Sequence, residues 1–499
     1  MKFRNLLLFA LTWSLLSGAA FQRIPPPAGG DSPWQALAAG IDYQEFYLEH
    51  PNHLYVTRMQ RDQANLTLDS SIAQGRLSGG LETVRDMAAR YDQSIAYWDG
   101  EWGARYQVVA AINGYFYDTE SGIPRRGQVQ SGWYARRFDD RENASGFAWT
   151  MERQAFIGGC VVHPRNKQLV KFLEAGEELN FDGLNTPRGD DDLVIYTPQY
   201  DASTLTGDEG FEALVELERP LGLIPAPAMV EGVVRVVRDG QGNMPLPFDH
   251  VALSASGAAA EPLRKLAQVG ARVGISQEMR HLQPDCRTPN LLDWSGTYAA
   301  IGGSFYFLKD GAVQALGELG AVLRSPRTAL AFNDRYIFFI VVDGRDDFSS
   351  LGMSMVELAL FARNRLGARS GVALDGGGSS TMIVNGELKN RPNTEVQDPA
   401  AQEGRIERAV ANGMFMAVVL PRELSGRFQV GQALQTTGET TLRLGPGDNY
   451  AVLAALPAGS TGVVVEHSNG LNGVLAKGTY WWKVAFGDLV GWVEEEGIR

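Results

Sequence analysis

The sequence predicts an α+β protein, with a mixed α/β body built on one or more large mixed sheets and a small all-β barrel at the carboxyl terminus. Strand patterns outnumber helix patterns through the middle of the chain, and helical periodicity is confined to three segments. Short strand patterns separated by turn clusters fill the last part of the chain. At 499 residues the chain is long enough for more than one domain.

The amino terminus has the pattern of a secretory signal peptide. Lys2 and Arg4 precede an apolar stretch at 6–16, and small residues follow at 17–20. We expect residues 1–20 to be removed on export and residues 21–41, rich in proline and glycine, to act as a linker. The protein is then secreted, periplasmic or displayed at the cell surface. No later apolar run reaches the ~18 residues of a membrane span, so no transmembrane anchor is expected.

The charge and the cysteine content of the chain limit the ligands and partners that are expected. The formal net charge is −13 and no basic stripe is present, which argues against a nucleic-acid partner. The two cysteines, Cys160 and Cys286, form one disulfide or remain two buried thiols, and their spacing does not decide between these. There is no cysteine cluster and no H-E-x-x-H motif, so zinc is not indicated, and no cofactor is expected.

A strand–helix–strand unit is the best-defined element of the body. Three segments have helical periodicity, at 81–91, 259–268 and 355–366. The third is framed by a capping box from Ser354 and Glu357 and by Gly367 at the position of a left-handed cap. Apolar runs at 336–342 and 372–374 flank it, and these read as buried strands. We expect the two strands to be parallel and joined by a right-handed crossover.

Each of these two strands ends in a carboxylate. Asp343 opens Asp343-Gly344-Arg345, and Asp375 opens a loop of three glycines and three hydroxyl residues: Gly376, Gly377, Gly378, Ser379, Ser380 and Thr381. Parallel strands bring both carboxylates to one edge of the sheet, where ligands usually bind. Glycines allow a sharp turn and close approach, and the loop N–H groups and hydroxyls can converge on an anion.

Further strand patterns complete the body and define the tail. In the body they lie at 108–112, 193–196, 232–237, 298–301, 305–308 and 382–384, with hairpin turns at 310–311 and 385–386. In the tail, 426–499, they lie at 440–444, 462–466, 480–486 and 490–493, which is typical of a small barrel. Trp481, Trp482 and Trp492 are expected to fill its core, with one or two left to line a shallow groove.

Eight motifs in order make residues 42–420 resemble the phosphodiester glycosidase family. They are AAINGYF (110–116), LNTPRGDDDLVIYTP (184–198), IGGSFYFLKDG (301–311), RSPRTALAF (324–332), VVDGR (341–345), LDGGGSSTM (374–382), NRP (390–392) and ERAVANGMF (407–415). The tail is similar to a bacterial Src-homology-3-like module through LRLGPGDNYAVLAALPAGS and YWWKVAFGDLVGWV. The second resemblance implies contact with peptidoglycan or a rigidifying role.

The first resemblance implies hydrolysis of the bond between a sugar's anomeric carbon and a phosphodiester, as in GlcNAc-1-phosphodiesters of cell-wall or exopolysaccharide material. The leaving group is a stable phosphate anion, so a general acid is needed less than in ordinary glycoside hydrolysis. A carboxylate must lie near the anomeric carbon, for which Asp375 is the first candidate and Asp343 the second, as base or as nucleophile. The implied phosphate ligands are Arg327, Arg345, Arg408 and the loop 376–381.

Asn113, at the end of the 108–112 strand, is a candidate contact to a sugar hydroxyl or to phosphate. A turn asparagine with its hydrogen bonds satisfied locally explains the same position equally well. For Asn412, in the last motif, a structural role is expected.

Other chemistries fit the residues less well. The G-x-S-x-G elbow of a serine hydrolase and the G-K-[ST] of a phosphate-loop NTPase are both missing. Asp343, Asp346 and Asp347 offer ligands for a hard cation such as calcium, although acidic loops are more often solvated. The alternative from another class is a non-catalytic surface protein that binds wall glycans.

Overall fold

The computed structural model describes residues 31–138, 145–281, 292–346, 349–392 and 406–499. The predicted signal peptide, Cys286 and Asp347 lie outside the described residues. Strands hold 46% of the chain and helices 11%. The predicted α+β body is therefore correct only in part, because sheets dominate and the helices are few and short.

The strands up to residue 217 are β1 (Gln35–Ala38), β2 (Ile41–Leu48), β3 (Asn52–Gln60), β4 (Leu66–Ile72), β5 (Ile95–Trp98), β6 (Glu101–Asn113), β7 (Gln128–Gln130), β8 (Trp133–Arg136), β9 (Ser145–Thr150), β10 (Ala155–Gly158), β11 (Val161–Val162), β12 (Gln168–Phe172), β13 (Glu177–Asn180), β14 (Gly183–Leu184), β15 (Leu193–Tyr196) and β16 (Phe211–Leu217). The next, up to residue 420, are β17 (Val230–Asp239), β18 (His250–Ala255), β19 (Arg272–Gln277), β20 (Arg280–His281), β21 (Thr297–Gly303), β22 (Tyr306–Lys309), β23 (Ala312–Val313), β24 (Arg327–Phe332), β25 (Tyr336–Val342), β26 (Ser370–Ala373), β27 (Met382–Val384), β28 (Glu387–Leu388) and β29 (Asn412–Leu420). The last are β30 (Ala433–Gln435), β31 (Thr440–Arg443), β32 (Val452–Leu456), β33 (Thr461–Val464), β34 (Val474–Ala476), β35 (Thr479–Phe486) and β36 (Leu489–Glu494). The α-helices are α1 (Val84–Tyr91), α2 (Gly257–Leu266), α3 (Leu319–Val322) and α4 (Met355–Leu366).

Five larger sheets and one two-stranded ribbon organise these strands. The first eight-stranded sheet has the order β1-β2-β3-β25-β24-β26-β22-β23, and the second has the order β13-β12-β19-β17-β16-β18-β15-β14. A six-stranded sheet runs β28-β27-β6-β29-β4, with β5 paired to β6, and a five-stranded sheet runs β10-β9-β21-β7-β8. The tail sheet runs β30-β33-β35-β36-β31-β32, with β34 paired to β35, and β11 pairs with β20.

The predicted mixed sheets are almost wholly antiparallel. Among the described residues, the β14–β15 pair is the one parallel pairing. Short connections account for this, since hairpins join neighbours antiparallel and a parallel pair needs a long crossover. Two such hairpins were predicted, and their turn residues Asp310-Gly311 and Asn385-Gly386 all have positive φ, as a type I′ turn requires.

Helix α4 begins and ends where its sequence signals place it. The Ser354 hydroxyl accepts from the Glu357 N–H at 3.3 Å, the Glu357 carboxylate accepts from the Ser354 N–H at 2.9 Å, and Gly367 closes the helix with φ of 67°. Helix α4 joins β25 to β26, which run in the same direction as predicted. They are not neighbours, however, because β24 lies between them and pairs antiparallel with both.

The tail forms a separate antiparallel sheet, which confirms the predicted all-β tail in part. Trp482 lies in the tail's own apolar core with residues such as Phe428 and Val493. Trp481 and Trp492 instead belong to a core shared with the five-stranded and second eight-stranded sheets. The sequence predicted that these tryptophans fill the tail's core, with one or two lining a shallow groove; instead, Trp482 alone of the three lies in that core, and the other two pack the tail against the body. Among the described residues, no helix combines the length and apolar character that a bilayer crossing requires.

Candidate functional site

Three strand ends of the first eight-stranded sheet meet at one edge. Arg327 is the first residue of β24 and pairs with Val342, the last residue of β25. Asp343 follows β25, and Asp375 lies two residues after β26. Because β24 runs antiparallel to both neighbours, its start coincides with their ends. The predicted meeting of Asp343 and Asp375 at one sheet edge is thus observed, with Arg327 added to it.

The end of β6 joins this edge to the six-stranded sheet through Asn113. The Asn113 Oδ1 accepts from the Thr328 hydroxyl at 2.7 Å and from the Thr381 N–H at 3.1 Å. Its Nδ2 donates to the Asp375 carbonyl at 2.8 Å and to the Gly114 carbonyl at 3.3 Å. Asn113 is fully buried, and its amide has no hydrogen-bonding capacity left for a ligand. The geometry therefore supports positioning of the loop, and not the predicted direct contact to substrate.

Two of the loop glycines are required by close approach. A Cβ on Gly376 would lie 2.7 Å from the Pro326 carbonyl oxygen, and Gly377 has φ of +64°. A Cβ on Gly377 would lie 3.2 Å from Nη2 of Arg345, so the Arg345 guanidinium lies directly against this turn. The run 376–378 is thus packed between the start of β24 and the arginine of the Asp343-Gly344-Arg345 turn.

Asp375 is a half-buried carboxylate with an unusual proton affinity. Burial raises its pKa to about 6, against the opposing effects of the Ser379 hydroxyl, the Gly376 N–H and the charge of Arg408. Burial, together with the charge of Asp375, also raises the pKa of the neighbouring Tyr117. A shift of this size in a carboxyl that also adjoins a cation and two hydrogen-bond donors is typical of functional carboxylates.

The three predicted arginines have different surroundings. Arg327 is buried, and it donates through Nε to the Met353 carbonyl at 2.7 Å and through Nη2 to the Leu323 carbonyl. Burial lowers its pKa to about 10, and repulsion from Arg345 adds to this, so two guanidinium groups lie close together beside the glycine loop. Arg345 and Arg408 are exposed, and Arg408 acts electrostatically on Asp375.

Two hydroxyls of the loop are buried without a partner. The Oγ atoms of Ser379 and Ser380 are inaccessible, and no described residue offers either one a hydrogen bond of good geometry. The Ser379 hydroxyl is nevertheless close enough to Asp375 to lower its pKa. Thr381 differs, because its hydroxyl donates to the Ser379 carbonyl at 3.1 Å. Unpaired buried hydroxyls are unfavourable, and the Ser379 contact with Asp375 is the one polar interaction of these two hydroxyls among the described residues.

Asp343 is enclosed by hydrogen-bond donors. Its carboxylate accepts from the Tyr55 hydroxyl at 3.0 Å, from Asn390 Nδ2 at 3.2 Å, and from the Arg391 N–H at 3.0 and 3.2 Å. It is 6% exposed, and burial raises its pKa. These contacts occupy the carboxylate, so the geometry does not favour the predicted catalytic role for Asp343. The asparagine of the NRP motif links it to the loop through the Ser380 carbonyl at 2.8 Å.

A hydrogen-bonded chain behind Asp343 was not found from the sequence. His53 lies 2.7 Å from Glu45 through Nε2 and 2.8 Å from the Tyr55 hydroxyl through Nδ1, and Tyr55 donates to Asp343. His53 and Tyr55 lie on β3, which pairs with β25. The sequence feature that could have indicated this chain is the His-x-Tyr spacing in β3, because alternate residues of a strand share one face.

The possible cation ligands Asp343, Asp346 and Asp347 are described only in part. Asp343 is fully hydrogen-bonded, Asp346 accepts from the Ser349 hydroxyl at 2.6 Å, and Asp347 lies outside the described residues. In the described ranges, the one group of three possible metal ligands within 4.8 Å of one another is Glu216, Asp249 and His467, at the contact between body and tail. There, Lys483 lies 3.2 Å from Glu216, so an ammonium group already supplies the cation.

Cys160, predicted to be bonded or free, takes part in a disulfide. The other cysteine of the sequence, Cys286, lies outside the described residues.

One segment of the chain matches a known family model. Residues 230–417 match the family model for phosphodiester glycosidase. This segment contains Arg327, Asp343, Arg345, the loop 375–381 and Arg408, but not Asn113 or the other residues before 230. The match is thus shorter than the resemblance at 42–420. No curated protein sequence matched.

Three solved structures are similar to this chain at low identity. A hypothetical protein from Synechocystis is 16% identical, with a TM-score of 0.48, covering 78% of this chain and 64% of that one. An exported-protein candidate from Burkholderia pseudomallei K96243 is 21% identical, with a TM-score of 0.43, covering 74% of each chain. The catalytic domain of zebrafish N-acetylglucosamine-1-phosphodiester alpha-N-acetylglucosaminidase, auto-inhibited by its pro-peptide, is 12% identical, with a TM-score of 0.38, covering 78% of this chain and 88% of that one.

Proposed function

We propose that this protein is a phosphodiester glycosidase, a hydrolase that cleaves the bond between a sugar's anomeric carbon and a phosphodiester. One observation carries the proposal: a carboxyl with a pKa near 6, Asp375, begins a glycine and hydroxyl loop that packs against Arg345. The family match over residues 230–417 includes every one of these groups. The site therefore pairs a reactive carboxylate with cations, as a sugar phosphodiester requires.

Asp375 is assigned to the sugar. With a pKa of about 6 it is mostly ionised at neutral pH, and it either attacks the anomeric carbon or takes a proton from the attacking water. The nearby cation Arg408 stabilises the ionised form. Because the leaving phosphate monoester is a stable anion, no strong general acid is needed on the other side of the bond.

Arg345 and Arg408 are assigned to the phosphodiester. Both are exposed, and a guanidinium pairs two phosphate oxygens at once. Arg327 adds positive charge but is held by the Met353 and Leu323 carbonyls, so we assign it to positioning and to the local field. The inaccessible hydroxyls of Ser379 and Ser380 are assigned to the conformation of the loop, and not to the ligand.

Export and the natural substrate are part of the proposal. The signal-peptide pattern of residues 1–20 supports secretion, and the tail's likeness to Src-homology-3-like modules supports contact with peptidoglycan. We therefore expect GlcNAc-1-phosphodiesters of wall or exopolysaccharide material as substrates.

The test uses a defined substrate, N-acetylglucosamine 1-(methyl phosphate). The wild-type protein should release free sugar and methyl phosphate, and Asp375→Asn should abolish release while the protein stays folded. Asp310→Asn is the matched control, because Asp310 is an exposed turn residue on the same sheet and asparagine tolerates its positive φ. Failure of the wild-type protein to hydrolyse any sugar-1-phosphodiester would overturn the proposal. If such compounds bind without hydrolysis, the alternative of a non-catalytic glycan-binding protein is supported instead.

A further inference from the structure

A cavity lies where the body meets the tail sheet. Its volume is about 660 Å³, within the ~300–1,000 Å³ range of small-molecule sites, and it shares no residue with the site around Asp375. Its wall is formed by α1, the turn after β7, the loop after β15 and the loop before β32. Four separate segments of the fold thus enclose one space.

Two buried glutamines line this cavity with hydrogen-bonding groups unused. Gln199 is 8% exposed; its Oε1 is inaccessible and has no partner among the described residues, and none of them accepts from its Nε2. Gln130 is also 8% exposed, and its Oε1 accepts from the Ile72 N–H at 3.1 Å, while its Nε2 has no acceptor in the described ranges. Buried amides are normally paired, so both point to a polar occupant of the cavity.

The rest of the cavity wall carries aromatic rings on one side, and its positive charges are neutralised by nearby carboxylates. The rings of Trp102 and Trp133 have centroids 6.3 Å apart, and those of Phe248 and Tyr450 have centroids 5.7 Å apart. Each cation at the wall is matched by carboxylates: Arg76 by Asp201 at 3.5 Å, Arg90 by Glu82 at 3.0 Å, and Lys477 by the attraction of Asp448 and Asp92. An occupant therefore needs polar groups and an apolar face, but no net charge.

We propose that this cavity binds a neutral saccharide of two or three sugar units. Sugar oxygens can accept from the unpaired Nε2 groups of Gln199 and Gln130, and the C–H face of a pyranose packs on an aromatic ring such as that of half-buried Tyr450. The site is independent of the hydrolytic one, and it holds a glycan chain through the junction of body and tail.

The test measures binding of N,N′,N″-triacetylchitotriose and of maltotriose by calorimetry and by tryptophan fluorescence. At least one should bind in the millimolar range or tighter, with a fluorescence change from Trp102 and Trp133. Gln199→Leu should weaken binding roughly tenfold. Ala89→Trp, at an exposed residue of the cavity rim, should abolish it, and Ala258→Trp, on an exposed turn of α2 outside the cavity, should leave it unchanged.

The outcomes separate this site from the hydrolytic one. Asp375→Asn should bind the trisaccharide as the wild type does, although it cannot hydrolyse a phosphodiester. If neither trisaccharide binds at millimolar concentration, or if binding survives both Gln199→Leu and Ala89→Trp, the proposal is wrong and the glutamines are satisfied by water alone.

Discussion

Asn390 donates its Nδ2 both to Asp343, at 3.2 Å, and to the Ser380 carbonyl, at 2.8 Å, so one amide ties the end of β25 to the loop that follows Asp375. Its Oδ1 accepts from the Met382 N–H at 2.7 Å. The asparagine is fully buried, and the loop has no freedom to shift relative to Asp343 without breaking these bonds. The rigidity of the proposed active site thus depends on a residue that does not face the ligand.

Replacing Asp343 should test positioning against catalysis. In Asp343→Asn, the amide N–H₂ faces the Arg391 N–H donor in either orientation, so we expect a loss of about 2–4 kcal/mol in the free energy of unfolding. The rate of hydrolysis should fall together with the stability. Denaturant unfolding and kinetics on the same preparations measure both effects. A catalytic role would instead lower kcat by orders of magnitude without any loss of stability, as expected for Asp375→Asn.

The pH dependence of hydrolysis should follow Asp375. Its pKa is raised to about 6, and the ionised form is the active one, so kcat/KM should rise as the pH passes through about 6 and then level off. Arg408→Ala removes the cation that favours ionisation and should move this rise to higher pH. Rate measurements between about pH 4 and pH 8 check both. A rise centred near pH 4 would contradict the assignment.

Ionised Asp375 should also reduce the stability of the fold. Because its pKa in the folded state, about 6, lies above the unfolded value near 4, the folded protein binds the proton more tightly. The loss of stability caused by ionised Asp375 is complete above about pH 6 and disappears as the pH falls to about 4. Asp375→Asn should therefore be more stable than the wild type by about 1–3 kcal/mol at pH 7, and about equal to it at pH 4. Unfolding midpoints at the two pH values provide the measurement.

Arg345 should contribute mainly to binding of the phosphodiester. Its guanidinium lies against Gly377, so Arg345→Ala should lower kcat/KM roughly tenfold to hundredfold, and Arg345→Lys should restore only part of it. Both variants keep a residue with a side chain at φ of 61°, so the backbone strain is matched. Arg369→Ala, an exposed arginine before β26, is the control and should leave the kinetics unchanged. Equal loss in the control would remove the argument for a specific contact.

Local sequence patterns predicted the elements of the site better than its hydrogen bonds. The bounds of α4, the two hairpin turns and the shared edge of Asp343 and Asp375 all follow from capping, turn chemistry and strand direction. The insertion of β24 between β25 and β26 was missed because strand order depends on pairing across the sheet. Likewise, the enclosure of Asp343 depends on Tyr55, which donates to it from 288 positions earlier in the chain. Partners that distant leave no local pattern.

The tail should be attached to the body through a buried pair, Asp249 and His467, whose Oδ2 and Nε2 lie 2.6 Å apart. Burial alone would raise the pKa of Asp249, but His250 and His467 outweigh it and hold this pKa well below its ordinary value. A lowered carboxyl pKa contributes stability above the unfolded value near 4, and this stability is lost as the pH falls below it. Asp249→Asn should therefore cost about 3–5 kcal/mol at pH 7 and progressively less below about pH 4.

The matched control is Asp239→Asn, which breaks the exposed ion pair with Arg264 and should leave stability nearly unchanged. Denaturant unfolding at pH 7 and near pH 3.5 gives the comparison. Limited proteolysis adds a second readout, because loss of the Asp249–His467 contact should expose the chain between β29 and β30 to cleavage. If Asp249→Asn is as stable as Asp239→Asn at pH 7, the apolar contacts of Trp481 and Trp492 hold the tail, and the charged pair contributes nothing to its attachment.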